Sequence, residues 1–125
     1  MKLSQIKEFF NRSITTAVLK ESILNEVANF KASSIKGGGS ASIILTEDIP
    51  LRVEKSDIAN LCEAYIDSEL SESEISYIMD ALLLSDQVEF ENEELKEVSE
   101  TLTDPTVNGK LTKDTAMEVL RYCKS

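Results

Sequence analysis

The sequence predicts a mainly α-helical single domain. Apolar residues recur at helical spacing in one stretch after another, while the β-branched runs are confined to residues 42–46 and 50–54. At 125 residues the chain is long enough to bury about two-thirds of its unfolded surface, so its core needs no metal or disulfide staple. The expectation is one domain over residues 1–125, built from five to seven amphipathic helices with a small β-hairpin, or one irregular strand, near residues 42–54.

Ser4 is placed to cap a short first helix that turns Ile6, Phe9 and Phe10 to one side. A longer helix follows Ser13 and runs to about Ser33, with Leu19, Ile23, Val27 and Phe30 as its apolar stripe. KGGGSAS at 36–42 reads as a flexible connector, because three consecutive glycines cannot continue a helix cheaply. It lacks the Gly-Lys-Ser/Thr ending of a phosphate-binding loop. SIILT (42–46) and PLRVE (50–54) form the hairpin or irregular strand, with Pro50 at its edge or start.

Four helices are expected in the remainder. Ser56 caps one in which Ile58, Leu61, Cys62, Tyr65 and Ile66 keep the 3-4-3-4 rhythm. Ser71 and Glu74 have the spacing of a capping box and open a helix bearing Ile75, Ile78, Met79, Leu82 and Leu83. Another begins near Glu91 or Asn92, with Phe90 and Leu95 spaced as a hydrophobic staple if Glu91 caps, and ends at Asp104-Pro105. Its inward residues are Leu95, Val98 and Leu102. After a turn at Asn108-Gly109, Thr112 caps a last helix with Ala116, Val119, Leu120 and Cys123 inside.

Composition narrows the function. There is no histidine, so Ser/His and Cys/His nucleophile systems are excluded and an ordinary zinc site is strained. No catalytic residues, cofactor or metal site are expected. Cys62 and Cys123 read as reduced thiols inside helical stripes. No apolar run approaches a membrane span, and MKLSQIKEFFNR at the start lacks the apolar core of a secretion signal, so a cytoplasmic location is expected.

The charge is more informative. The net charge is −10, yet residues 56–109 hold fifteen Asp or Glu against Lys96 alone, leaving the rest of the chain net positive. A surface this acidic does not seek phosphate backbones; a basic protein is the expected partner. In DQVEFENEELKE (86–97), six of twelve residues are carboxylates. Glu72, Glu74, Glu93 and Glu94 lie near helix N-termini, where each is worth ~0.3–1 kcal/mol. Asp67, Glu69, Asp86, Glu89, Glu91, Glu97 and Glu100 have no such role, and Lys96 is the one base within helical reach of any of them.

One helix face adds a second sign. Tyr77 and Leu84 project almost opposite the face centred on Ile75, Ile78, Met79 and Leu82, with Asp80 between them. Either that helix is buried on both sides, or Tyr77 and Leu84 belong to an exposed contact patch ringed by carboxylates. The expected docking residues are Asp67, Glu69, Glu72, Tyr77, Asp80, Asp86, Glu89, Glu91, Glu93 and Glu94.

The stretch ALLLSDQVEFENEELKEVSETLTDPTVNGKLT (81–112) resembles the small acidic immunity proteins of bacterial toxin systems, including those that accompany contact-dependent growth-inhibition toxins. The resemblance lies in the helix–Asp-Pro–turn–helix layout of an acidic chain without catalytic residues. It implies a stoichiometric inhibitor whose acidic surface covers the basic cleft of a cognate toxin, a nuclease in many such systems. Two rivals stand beside it. One is an acidic adaptor for some other basic protein. The weaker is a calcium module: residues 104–115 echo an EF-hand loop through Asp104, Asn108, Gly109 and Leu111. Thr106 and Thr115, however, replace ligands that such a loop requires.

Overall fold

In a computed structural model the chain folds as six α-helices, one 3-10 turn and two three-residue strands among the described residues. The structure describes residues 1–35, 45–102 and 112–124, the side chains of 29–35 excepted. The connector at 36–42, the Asp104-Pro105 stop, the turn at 108–109 and most of the calcium-like loop lie outside the described residues.

α1 (Leu3–Phe10) buries Leu3, Ile6, Phe9 and Phe10. Its cap is Lys2, not Ser4. Ser4 sits inside the first turn and is taken by Asp48, which accepts from its N–H at 3.1 Å and its hydroxyl at 2.5 Å. That bond holds the Asp48 carboxyl below its usual range. α2 (Thr16–Ile35) starts where Thr15 Oγ1 accepts from the Val18 N–H at 3.3 Å, and it buries Leu19, Ile23 and Val27.

β1 (Leu51–Val53) and β2 (Val88–Phe90) pair in parallel, in the register Leu51 to Val88, Arg52 to Glu89, Val53 to Phe90. A parallel pair needs a long crossover, and two helices provide it: α3 (Lys55–Ile66) and α4 (Glu72–Leu84). The 50–54 strand thus pairs in parallel with 88–90 and not with Leu45 or Thr46, while residues 42–44 of the other expected strand lie outside the described residues. The strand in 50–54 finds its partner inside the acidic stretch, while Thr46 makes an isolated bridge to Lys2. The reason is pattern matching. Leu-Arg-Val and Val-Glu-Phe share an apolar–charged–apolar order, which turns Leu51 and Val53 to the core and sets Arg52 beside Glu89 on the exposed face.

α3 is capped by Glu54 instead of Ser56, with the Asp57 carboxylate accepting from the Glu54 N–H at 2.9 Å. It ends in a left-handed residue, Ser68 (φ 64°), which lets the N–H groups of Glu69 and Leu70 return to the Ala64 carbonyl. The capping box at α4 forms as the sequence predicts. Ser71 Oγ accepts from the Glu74 N–H at 3.2 Å, and Glu74 Oε1 accepts from the Ser71 N–H at 2.7 Å. Asn92, not Glu91, caps α5 (Glu93–Ser99), accepting from the Leu95 N–H at 2.7 Å. Phe90 is thus a strand residue and makes no staple with Leu95. A 3-10 turn (Glu100–Leu102) follows α5. α6 (Lys113–Lys124) is capped by Thr112, whose Oγ1 accepts from the Thr115 N–H at 3.3 Å.

One core joins these elements. α4 lies at its centre, between α2 and the 3-10 turn, and buries every residue from Glu74 to Met79 together with Ala81 and Leu82. α6 lays Ala116 and Val119 against α3. No helix among the described residues is long and apolar enough to cross a membrane.

Candidate partner-docking surface

Central burial of α4 settles the two-faced helix. Tyr77 is fully buried, and its hydroxyl donates to Glu26 Oε1 at 2.7 Å, a carboxylate that also pairs with the Met1 amine. The expectation of Tyr77 as an exposed anchor is corrected on this ground: a side chain in the interior has no surface to offer. Leu84, one turn before β2, remains 70% exposed. Asp80 is half-buried, midway along α4.

The carboxylates divide into groups set by the ends of α4. At its N-terminal end are Asp67, Glu69 and Glu72. Asp67 and Glu69 are exposed and line a shallow cavity of about 380 Å³ with Glu63, Asn60 and Arg12. Arg12 donates to Asn60 Oδ1 at 3.0 Å across that cavity. Glu72 is half-buried near Tyr65, whose phenol is pushed up first by burial and then by this carboxylate. Glu74 is spent locally, on the capping box and on an ion pair with Lys20 at 3.6 Å.

At the other end, about 20 Å away along thirteen helical residues, stand Asp86, Glu89, Glu91, Glu93 and Glu94. The VEF strand turns Glu89 outward. Asp86 before it and Glu93 after it border the same depression, about 550 Å³, which Val88, Phe90, Asn92 and Lys96 also line. Three carboxylates and a half-buried aromatic ring thus share one concavity, with one lysine among them.

Glu91 and Glu94 turn toward α6. The Tyr122 phenol is pushed up by burial, then by Glu94, Cys123 and Glu91. Lys55 Nζ lies over the Tyr122 ring, 4.9 Å from its centroid, so this neighbourhood is partly neutralised. The ten expected docking residues therefore do not make one face. They make a β2 depression (Asp86, Glu89, Glu93), an adjoining corner (Glu91, Glu94), a distant turn (Asp67, Glu69, Glu72), a mid-helix Asp80 and an interior Tyr77.

The depression depends on a strand that helical periodicity did not foresee; its signal was the apolar–acidic alternation of Val88, Glu89 and Phe90. The thiols are chemically quiet. Burial pushes Cys62 up to about 12 and Cys123 up to about 11, so both are protonated near neutrality. Among the described residues no group of three or more His, Cys, Asp or Glu is arranged to hold a metal ion. Compared with family models, curated proteins and solved structures, the chain matches none.

Proposed function

We propose that this chain is an immunity protein: a stoichiometric inhibitor that binds and neutralises a cognate, basic bacterial toxin domain, a nuclease in the reading the resemblance favours. The observation that carries the proposal is the convergence of Asp86, Glu89 and Glu93 on the depression that Val88 and Phe90 also line. Charged and half-buried apolar residues side by side, as here, are common in protein-binding patches. Carboxylates spaced within a Debye length act together on an approaching cation. They raise the encounter rate with a basic cleft by about 10- to 1000-fold at low salt. Speed of that kind suits an inhibitor that must intercept a toxin sharing its compartment, which for this reading is the bacterial cytoplasm. Blocking a cleft requires binding and no chemistry.

The test is affinity capture from the native host at low and high salt, with every co-eluting protein identified and the Glu89→Lys, Glu93→Lys double variant as the control. The proposal expects a basic protein that is released by salt, is lost in the variant, and is toxic to cells lacking this chain. Capture of a basic protein that is harmless without this chain would favour the adaptor reading. A capture profile identical for the double variant contradicts the docking surface.

A further inference from the structure

Among the described residues β2 is an edge strand, paired with β1 on one side only. In a parallel pair, successive residues point their N–H and C=O groups alternately toward and away from the neighbouring strand. Toward β1, the Leu51 N–H donates to the Gln87 carbonyl at 2.9 Å and the Glu91 N–H donates to the Val53 carbonyl at 2.8 Å. The register places Glu89 between these bonds. Val88 and Phe90 therefore direct their main-chain groups outward. The Val88 N–H has a long contact of 3.5 Å to the Ser85 carbonyl, and no third strand joins the sheet among the described residues.

Open edges invite pairing, and proteins defend them with charge. Here the defence is mainly acidic: Asp86, Glu89 and Glu93 outnumber Lys96 in the depression, and Arg52 stands across the pair from Glu89. A second copy of this chain laid on the edge would bring Glu89 and its neighbours against the same carboxylates, which repels it. A strand carrying lysine or arginine at alternate positions would instead place cations against Asp86, Glu89 and Glu93, which border the same depression. The charge that excludes self-association thus selects for a basic strand.

We propose that β2 accepts an extended, lysine- or arginine-bearing segment of the protein partner as a third strand. Main-chain bonds form at Val88 and Phe90, and the basic side chains seat against Glu89 and the flanking acids. The inference rests on the proposed docking function and names how the partner is recognised, with main-chain bonds giving affinity and side-chain charge giving selectivity.

Three peptides test it against the whole chain: one alternating lysine and valine, the same peptide with every backbone amide N-methylated, and one alternating glutamate and valine. N-methylation keeps the charge and removes every ladder donor. The expected result is that the lysine–valine peptide slows hydrogen exchange at the Phe90 amide, the methylated peptide binds at least about tenfold more weakly, and the glutamate peptide does not bind. Equal affinity for the parent and methylated peptides overturns the inference, as does an unchanged Phe90 exchange rate at millimolar peptide. If the captured partner is still lost on Glu89→Lys, Glu93→Lys while either of those results holds, strand addition has failed and the docking function has not.

Discussion

The phenolic hydroxyl of Tyr77 donates to Oε1 of Glu26 at 2.7 Å, deep in the packed body of the molecule. This bond explains how a polar ring can stand on the side of α4 that sequence alone would assign to water. α2 covers that side, and Glu26 from α2 supplies the acceptor. Tyr77 is therefore a stability residue. Tyr77→Phe is expected to cost about 1.5–3 kcal/mol in urea unfolding, the range for a hydrogen bond to a charged acceptor, with an unchanged denaturant slope. Association with a partner should be unaffected; a loss of association without a loss of stability would return Tyr77 to the interface.

Ser71 gives a prediction of local origin. Its hydroxyl and the Glu74 carboxylate satisfy each other's backbone N–H groups at the start of α4. Ser71→Ala is expected to destabilise the fold by about 1 kcal/mol, whereas Ser56→Ala, at a position that does not cap α3, should be close to neutral. Equal costs at the two serines would contradict the caps described.

The thiols set a pH dependence. The folded pKa of Cys62 is raised from 9.0 to about 12, so the unfolded chain loses its proton first as pH rises. The associated stability is fully present below pH 9 and is lost as the pH climbs toward 12. Chemical denaturation between pH 8 and pH 11 should show a falling stability, by at most about 1.4 kcal/mol per pH unit for this group. Cys62→Ala should lower stability at pH 8 through its cavity and flatten the alkaline slope. An unaltered slope would assign the alkaline loss to other groups.

Glu94 tests how the acidic residues divide. After burial itself, it is the largest influence raising the Tyr122 phenol. Glu94→Gln should shift the ultraviolet titration of Tyr122 downward, toward the ordinary tyrosine range. No shift would mean that Glu94 faces solvent with the β2 group, and the docking surface would then be wider than the depression.

The helices were legible because their signals are local. Leu19, Ile23 and Val27 in α2, Ile58 to Tyr65 in α3 and the Ser71–Glu74 box each sit within a few residues of what they determine. The failures share a cause in contacts distant along the chain. Ser4 has the chemistry of a cap, but Asp48 claims it from across the fold. The three-residue alternation of Val88–Phe90 is too short to stand out against the helical pattern around it, and its partner Leu51–Val53 lies beyond two helices. The candidate surface was half legible for the same reason. Composition exposed the surplus of carboxylates, while the strand that collects Asp86, Glu89 and Glu93, and the helix length that removes Asp67 and Glu69 from them, are tertiary facts.

The most direct measurement is the association rate of the captured basic partner with the wild-type chain and with the Glu89→Lys, Glu93→Lys variant, across ionic strength. Both positions are exposed, but Glu93 opens α5 and Glu89 stands beside Arg52, so the variant should lose about 1–2 kcal/mol of folding stability and stay folded. The predicted result is a wild-type rate that falls steeply with salt and a variant that associates about tenfold or more slowly at low salt, with a flattened or inverted salt slope. Superimposable rates and slopes for the two proteins would contradict the claim that this acidic depression receives the partner.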